Sequence, residues 1–226
     1  MKTQLNTLLN RVDTRLAACA AAAGASLAVV PSSDAVIVYS GPVNLVVPAT
    51  TAGLYLNVVT GVSNTVPGSA PGWDVNPFGS TTLVFFNPTA PVGGVYVVNF
   101  PGGTSATLPD NLPLGTLISA LNGYGSGTGE STGITAFTLN SSNNYVGFRF
   151  TEATLNGGAV TYGWFQIQIG ATLATRSIVG YAYENAVGVG IAAGDTGVPE
   201  PTTLALLGVM AAGALGVRAW RGRKVA

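Results

Sequence analysis

The amino-acid sequence predicts an all-β protein in which residues 36–190 form a single antiparallel β-sandwich with jelly-roll-like connectivity. Three observations lead to this fold class. Apolar residues in this region come in short runs that alternate with polar residues, as expected for half-buried strands. Clusters of Gly, Pro and Asn separate these runs, and no segment keeps a helical periodicity between recognisable caps.

The first half of this domain contains candidate strands that are each closed by a turn-forming residue. They cover residues 36–39, 43–47, 54–58, 82–86 and 95–100. Residues 68–80 are rich in Gly and Pro and are predicted to form an ordered loop that holds Trp73. Residues 112–121 come nearest to a helix, but Pro113 and Gly115 interrupt the pattern, so at most one helical turn is expected there.

The second half contains further candidate strands with clear turn signals between them. The strands cover residues 134–139, 145–150, 162–169 and 178–184. A Gly-rich and Ser-rich run over residues 123–133 is interpreted as a flexible surface loop, because it lacks the lysine and the following helix of a phosphate-binding loop. Residues 140–144 and the sequence Asn156-Gly157-Gly158 are typical of tight turns.

Alternation within the last three strands predicts which side chains face the core. Phe165, Ile167 and Ile169 are expected to point inward, whereas Trp164 is expected to point outward. The same period of two places two further sets of side chains on single faces: Val146, Phe148 and Phe150, and Val179, Tyr181 and Tyr183.

The first 35 residues predict a signal peptide. Basic residues precede an alanine-rich apolar segment over residues 16–30, and Ser33 and Ala35 suit the small-x-small preference of signal peptidase, so cleavage is expected after Ala35. Residues 16–19 also spell a lipobox that ends in Cys19. A lipobox follows the apolar core of a signal, whereas here the core follows the box, which favours ordinary cleavage over lipidation of Cys19.

The last 29 residues hold three elements in a fixed order, after an expected linker over residues 191–197. The first element is the motif Val198, Pro199, Glu200 and Pro201, and an uncharged apolar run over residues 202–217 follows it. This run of about 16 residues is short for a transmembrane helix, and Trp220 with the flanking arginines can extend it at the interface. The chain then ends in a basic cluster that predicts a cytoplasmic C-terminus and an exported body: Arg218, Arg221, Arg223 and Lys224.

These three elements resemble the PEP-CTERM sorting signal of exported proteins in Gram-negative bacteria. The resemblance implies that an exosortase, a membrane-embedded transpeptidase, recognises Pro199-Glu200-Pro201 and removes the anchor nearby, so that the catalytic groups belong to this partner. The alternative is a plain C-terminal membrane anchor with an incidental pair of prolines. A looser resemblance covers residues 145–184, which look like the three final strands of many PEP-CTERM proteins and imply no chemistry.

The resemblance also implies a route and a location for the protein. The Sec translocon and signal peptidase act first, and the precursor is anchored in the inner membrane by its C-terminal helix. After processing, the protein lies in the cell envelope, on the outer surface or outside the cell. The expected surroundings are the exopolysaccharide matrix, in which the body has a structural or interaction role.

Composition excludes several classes of function. Between residues 36 and 198 the chain has six carboxylates, two arginines and no lysine, which cannot form a surface that follows nucleic-acid phosphates. The chain has no histidine, and its one cysteine lies in the predicted signal peptide, so the usual nucleophilic triads are excluded. We expect no cofactor and no metal centre, although an isolated calcium site at Asp74 or Asp110 stays open.

A carboxylate pair is the one catalytic arrangement that the composition permits. Glu152 and Glu184 are the candidates for such a pair, as in a glycoside hydrolase. Their ordinary use would be to neutralise Arg149 and Arg176 across neighbouring strands, and this use is favoured because the body has so few cations. We therefore predict that the body is not an enzyme.

A carbohydrate-binding module is the other open function. Trp73 and Trp164 are the candidate residues for stacking on sugar rings, and Tyr145, Tyr162 and Tyr181 could extend the platform. Core packing is the ordinary use of most of these rings. Because the body has no lysine to protect its sheet edges, we also expect it to self-associate or to dock onto a polymer.

Overall fold

The computed structural model describes residues 36–86, 88, 91, 94–98, 108–129 and 136–197. The predicted signal peptide (1–35) and sorting signal (198–226) lie outside these residues. All described elements are strands except two short 3-10 turns, Pro67–Ser69 and Asn156–Gly158. Every strand pairing is antiparallel, which confirms the prediction of an all-β antiparallel fold.

The strands of the described residues are short except for three near the C-terminal end of the domain. In chain order they are β1 (Ile37–Tyr39), β2 (Leu45–Val46), β3 (Tyr55–Leu56), β4 (Ser63–Asn64), β5 (Asn76–Phe78), β6 (Leu83–Phe86), β7 (Tyr96–Val98), β8 (Leu117–Ile118), β9 (Gly123–Gly125), β10 (Gly127–Gly129), β11 (Tyr145–Phe150), β12 (Thr161–Ile169), β13 (Arg176–Glu184) and β14 (Ile191–Ala192).

The main sheet is built on the meander of β11, β12 and β13. Its strand order is β1-β13-β12-β11-β7-β9, and β2 also pairs with β13. The connection from β11 to β12 turns at Asn156, Gly157 and Gly158, whose φ angles are 55°, 64° and 81°. Glycine and asparagine adopt this left-handed conformation more readily than other residues, so the predicted turn at this sequence is confirmed.

A second, smaller sheet faces the main one. Strands β10, β6 and β5 pair in this order. The Leu54 and Leu56 amides donate hydrogen bonds to the Pro77 and Val75 carbonyl oxygens, both at 3.0 Å, and these bonds join the β3–β4 ribbon to β5. The second sheet therefore runs in the order β10-β6-β5-β3-β4.

The main core lies between the two sheets. The ring of Phe85, on β6, lies 5.2 Å from that of Tyr96 and 6.1 Å from that of Phe165, centroid to centroid, so aromatic contacts link the layers. Fully burying one such side chain contributes about 1.5–3 kcal/mol to folding. Each sheet sends alternate residues of its strands into this core, among them Leu56, Leu83, Val146, Phe148, Ile167 and Tyr183.

The opposite face of the main sheet is also covered. Strands β8 and β14 form a two-stranded ribbon, in which Ile118 and Ile191 pair directly. Their side chains join a second buried cluster with Trp164, Tyr162 and Ala182 of the main sheet. The main sheet is therefore buried on both faces, like the middle layer of three.

This second layer places Trp164 differently from the expectation. Its side chain is 2% exposed, and its indole Nε1 donates a hydrogen bond to the Asp195 carbonyl oxygen at 3.0 Å. Residues 191–197, which were expected to be a linker, cover it; we call this segment the strap. Alternation shows correctly that Trp164 and Phe165 face opposite sides, but it cannot show that a later segment covers the second side.

The structure differs from the local predictions in four regions. The run over residues 123–133, interpreted as a flexible loop, contains β9 and β10, and the loop predicted over residues 68–80 contains β5. Residues 112–121 contain β8 instead of a helical turn. Within the predicted strand at 134–139, the described residues 136–139 are not in a strand.

A β-bulge changes the predicted faces of β13. Gln166 pairs with Gly180, but the next residue, Ile167, pairs with Ile178, so Val179 has no direct partner on β12. Tyr181 and Tyr183 therefore share the main core with Ile178 and not with Val179. A bulge adds one residue to a strand and shifts the alternation after it.

Candidate functional site

An exposed group of aromatic side chains lies on the outer face of the second sheet. It consists of Tyr55, Trp73, Phe86 and Phe78, and we call it the aromatic row. Adjacent ring centroids are 5.0 Å apart for Tyr55 and Trp73, 6.1 Å for Trp73 and Phe86, and 6.4 Å for Phe86 and Phe78. Phe86 is 51% exposed, and the other three rings are half-buried.

The alternation of β3 and β6 produces this row. Leu56 and Phe85 point into the main core, so their neighbours Tyr55 and Phe86 point to the outer face. In β6 two aromatic residues are adjacent, and a strand cannot bury both on the same face. The pair Phe85-Phe86 is therefore the sequence signal that could have revealed the exposed ring.

A network of hydrogen bonds fixes the loop that carries Trp73. The Asn57 side-chain amide donates to the Pro71 and Gly72 carbonyl oxygens, both at 3.0 Å, and the Trp73 backbone amide donates to the Ala70 carbonyl oxygen at 3.1 Å. The Asn57 side-chain oxygen in turn accepts from the backbone of the β3–β4 turn. Trp73 is thus held between Tyr55 and Phe86 by a rigid frame.

The strands around the aromatic row are polar and uncharged, and the one carboxylate that approaches its loop is that of Glu152, whose Oε2 lies 3.0 Å from the position of a Cβ at Gly72. None of the five strands of the second sheet contains a charged residue. Asn64 lies directly opposite Tyr55, and Thr128 lies directly opposite Val84 on the face that Phe86 shares. The Asn64 side-chain nitrogen and the Thr128 hydroxyl have no hydrogen-bond partner among the described residues.

The aromatic residues predicted for sugar stacking are divided between the surface and the cores. Trp73 lies in the aromatic row. Trp164 lies beneath the strap and offers no ring face to a ligand, and Tyr162 and Tyr181 are buried as well. Sequence reasoning missed Tyr55, Phe78 and Phe86, which complete the row.

A buried carboxyl group lies near the β3–β4 turn. Asp74 is 4% exposed, and its Oδ2 accepts a hydrogen bond from the Val58 backbone amide at 2.9 Å. Burial raises the pKa of Asp74 to about 7, the bond from Val58 lowers this pKa in part, and the negative charge of Glu152 raises it again. The Asp74 carboxyl group can thus hold a proton near neutral pH, but its depth and its bond to Val58 suit it to fixing the turn.

The structure brings Glu152 towards Asp74 and not towards Glu184. Glu184 follows Tyr183, whose ring faces the main core, so the two side chains leave β13 on opposite faces. The Glu184 Oε1 accepts a hydrogen bond from the Ala186 backbone amide at 3.1 Å. The carboxylate pair for which Glu152 and Glu184 were the candidates therefore does not assemble.

The favoured pairing of these two glutamates with arginines is also wrong. Arg176 donates to the backbone carbonyl oxygens of Thr82, Leu173, Gly79 and Pro48, and its burial lowers its pKa to about 10. Arg149 donates from Nε to the Gly94 carbonyl oxygen at 2.9 Å, and its guanidinium lies 4.4 Å from the centre of the Tyr124 ring. Arg176 thus holds several turns together through backbone oxygens.

Comparison with protein-family models, with curated proteins and with solved structures found no match. The interpretation of function therefore depends on the sequence motifs and on the geometry of the described residues.

Two further features are absent from the described part of the chain. Among the described residues, no group of three Cys, Asp or Glu side chains could hold a metal ion. Nor do these residues include a helix long and apolar enough to cross a membrane. The sorting motif, the predicted span over residues 202–217 and the basic cluster lie outside the described residues.

Proposed function

We propose that this chain is an exported cell-envelope protein of a Gram-negative bacterium, sorted and processed by an exosortase. Its jelly-roll-like β-sandwich is a non-catalytic structural or interaction module of the exopolysaccharide matrix. The observation that carries this proposal is the order of the C-terminal elements: the Pro199-Glu200-Pro201 box, the uncharged run over residues 202–217 and the basic end.

The boundaries of the described domain support this route. The first strand begins at Ile37, so cleavage after Ala35 leaves β1 complete, with the Val36 amide bonded to the Asn185 side-chain oxygen at 2.8 Å. At the other end, residues up to Gly197 belong to the strap, and the sorting motif starts at the next residue. Both processing events would therefore leave an intact β-domain.

The body also suits an interaction role better than a catalytic one. The buried carboxyl groups of Asp74 and Glu184 accept hydrogen bonds from backbone amides, and the two arginines are engaged with carbonyl oxygens or an aromatic ring. The aromatic row is the feature that remains exposed and rigid. It favours carbohydrate binding as the form that the interaction takes.

Intact mass spectrometry of the protein from the envelope and the medium tests the sorting proposal. In a host with its exosortase, we expect a product that starts at Val36 and ends near Pro199–Pro201. Glu200→Gln should reduce this processing, because it alters the box that the exosortase reads. Asp195→Asn is the matched control, since it removes a carboxylate five residues upstream and should leave processing unchanged.

Comparison with a strain that lacks the exosortase gene shows whether the enzyme is responsible for this processing. If the mature protein keeps residues 218–226 both with and without the enzyme, the C-terminal segment is a plain membrane anchor. The proposed role in the matrix would then lose its main support.

A further inference from the structure

We propose that the aromatic row is the binding site for a neutral polysaccharide, with sugar rings stacked on Trp73 and Phe86. The inference deepens the proposed function and rests on it for the biological setting, but its physical argument concerns only the described residues. It also separates Trp73 from Trp164, the two tryptophans that the sequence analysis proposed for sugar stacking.

The rings of the aromatic row are exposed to different degrees at the protein surface. Eight of the nineteen buried residues of the main core are aromatic, and Phe86 directly follows one of them, Phe85. A contiguous exposed aromatic surface costs solvation free energy, and such surfaces commonly mark binding sites. The row combines the exposed ring of Phe86 with three half-buried neighbours that hold it in place.

Charge decides which class of ligand fits this surface. Asp74 is the one charged residue between positions 36 and 109, and its carboxyl group is buried. No cation of the second sheet's strands could balance a phosphate, a sulfate or a uronic acid of a ligand. The ligand class that matches the row is therefore uncharged.

The polar neighbours of the row favour a hydroxylated ligand over an apolar one. A pyranose ring presents C–H groups on its face and hydroxyl groups around its edge. Trp73 and Phe86 offer apolar faces, while the Asn64 side-chain nitrogen and the Thr128 hydroxyl lack partners among the described residues and can bond sugar hydroxyls.

Spacing and rigidity complete the argument. The Trp73 and Phe86 rings are tilted by only 31° and their centroids are 6.1 Å apart, close to the size of one pyranose unit, so two successive sugars of a chain can stack on these two rings. Tyr55 and Phe78 meet them edge-on, at 71° and 82°, and support them from either side. Because the Asn57 hydrogen bonds fix the loop that carries Trp73, binding orders little of the protein. Such preorganisation lowers the entropic cost of association.

Affinity electrophoresis of the full-length chain in mild detergent tests the proposal. The gels contain hydroxyethyl cellulose or galactomannan as neutral polymers, and alginate as an anionic one. We expect retardation by at least one neutral polymer and none by alginate. Phe86→Ala and Trp73→Ala should each weaken the affinity about tenfold, because each removes one stacking ring.

Leu121→Ala is the matched control, because Leu121 is 94% exposed and lies outside the row, so its loss should leave retardation unchanged. Near-UV circular dichroism verifies that the variants fold, and Phe86→Lys provides a second surface variant that keeps Trp73 in place. The proposal is overturned if the wild-type chain is not retarded by either neutral polymer, if alginate alone retards it, or if Leu121→Ala weakens binding equally.

Sedimentation velocity tests whether a second copy of the chain, instead of a polysaccharide, covers the aromatic row. A dimer that Phe86→Ala converts to a monomer would show that the row is covered by a second copy of the chain, and would overturn the proposal. Failure of glycan binding leaves the C-terminal processing experiment untouched, so the two proposals can fail independently.

Discussion

Asp74 carries the one side-chain carboxyl group of residues 36–109, and this group lies in the protein interior. In the unfolded chain this carboxyl group ionises near its ordinary pKa of 3.8, whereas in the folded chain burial raises the pKa to about 7. The folded state therefore binds the proton more tightly than the unfolded state. It follows that the free energy of unfolding falls as the pH rises between these two values.

We predict that Asp74→Asn removes this pH dependence. The wild-type protein should be more stable at pH 5 than at pH 7.5, by up to about 1.4 kcal/mol for each pH unit of the window. The asparagine oxygen can still accept the hydrogen bond from Val58, but the side chain has no charge to desolvate. Urea unfolding at both pH values measures the effect, and an equally steep pH dependence in the variant would contradict it.

Close packing restricts the sequence of strands β9 and β10. They follow each other directly, yet β9 pairs with β7 in the main sheet and β10 pairs with β6 in the second sheet. Beside this crossing, a Cβ atom on Gly94 would lie 2.3 Å from the Gly125 Cα. The two backbone segments therefore approach each other more closely than side chains would allow. The glycines that suggested flexibility are needed for close packing.

We predict that Gly129→Ala destabilises the protein by about 1–3 kcal/mol, because a Cβ atom there would lie 2.7 Å from the Phe137 ring and 3.1 Å from that of Phe85. Gly68→Ala is the matched control. A Cβ at Gly68 meets nothing within 4 Å, so this variant should keep its stability or gain up to about 1 kcal/mol. Thermal unfolding of both variants distinguishes the steric role from a general effect of losing a glycine.

The sequence predicted best those elements whose local pattern agrees with their surroundings. Apolar and polar residues alternate over six or more residues in strands β11, β12 and β13, and the turn between β11 and β12 contains Asn and Gly. The alternation and the turn residues therefore indicate the same fold. Strands β5, β8 and β14 were missed because two or three residues carry no detectable period. These strands form because they pair with segments that are distant in the chain, and a local sequence pattern cannot reveal such pairing.

The candidate site was predictable to the same limited extent. Trp73 could be selected by residue type, since a tryptophan in a glycine-rich and proline-rich loop is conspicuous. Its neighbour Phe86 could be inferred only from the two adjacent phenylalanines in β6. The contact between Tyr55 and Trp73 depends on the joining of β3 to β5, which no local pattern specifies.

Seen as a whole, the molecule keeps its longest strands between two covering layers, and the strap closes the second of these. The Ala193 backbone amide donates to the Thr116 carbonyl oxygen at 2.8 Å, and the Gly115 amide donates to the Ala193 carbonyl oxygen at 2.8 Å. Ile191 is buried beside Ile118. The last residues of the described domain are thus bonded in the same manner as a sheet.

We predict that the Ala193 amide exchanges its hydrogen slowly, as the amides of the main sheet do, because its hydrogen bond opens only when the strap detaches. Hydrogen exchange of the full-length chain, followed by mass spectrometry of peptides that cover residues 186–197, measures this protection. The exposed turn at Gly157 is the internal reference for fast exchange. Equal rates in the two segments would show that the strap behaves as the flexible linker that the sequence suggested.

On the export route proposed above, the position of the strap has a consequence for the timing of folding. The N-terminal end of the chain emerges first, so β8 and Trp164 reach the far side of the membrane before the segment that covers them. In the proposed anchored precursor, the apolar span begins five residues after Gly197, at most about 18 Å of extended chain. The domain therefore completes its fold against the membrane surface, at the moment when the last residues before the sorting motif leave the translocon.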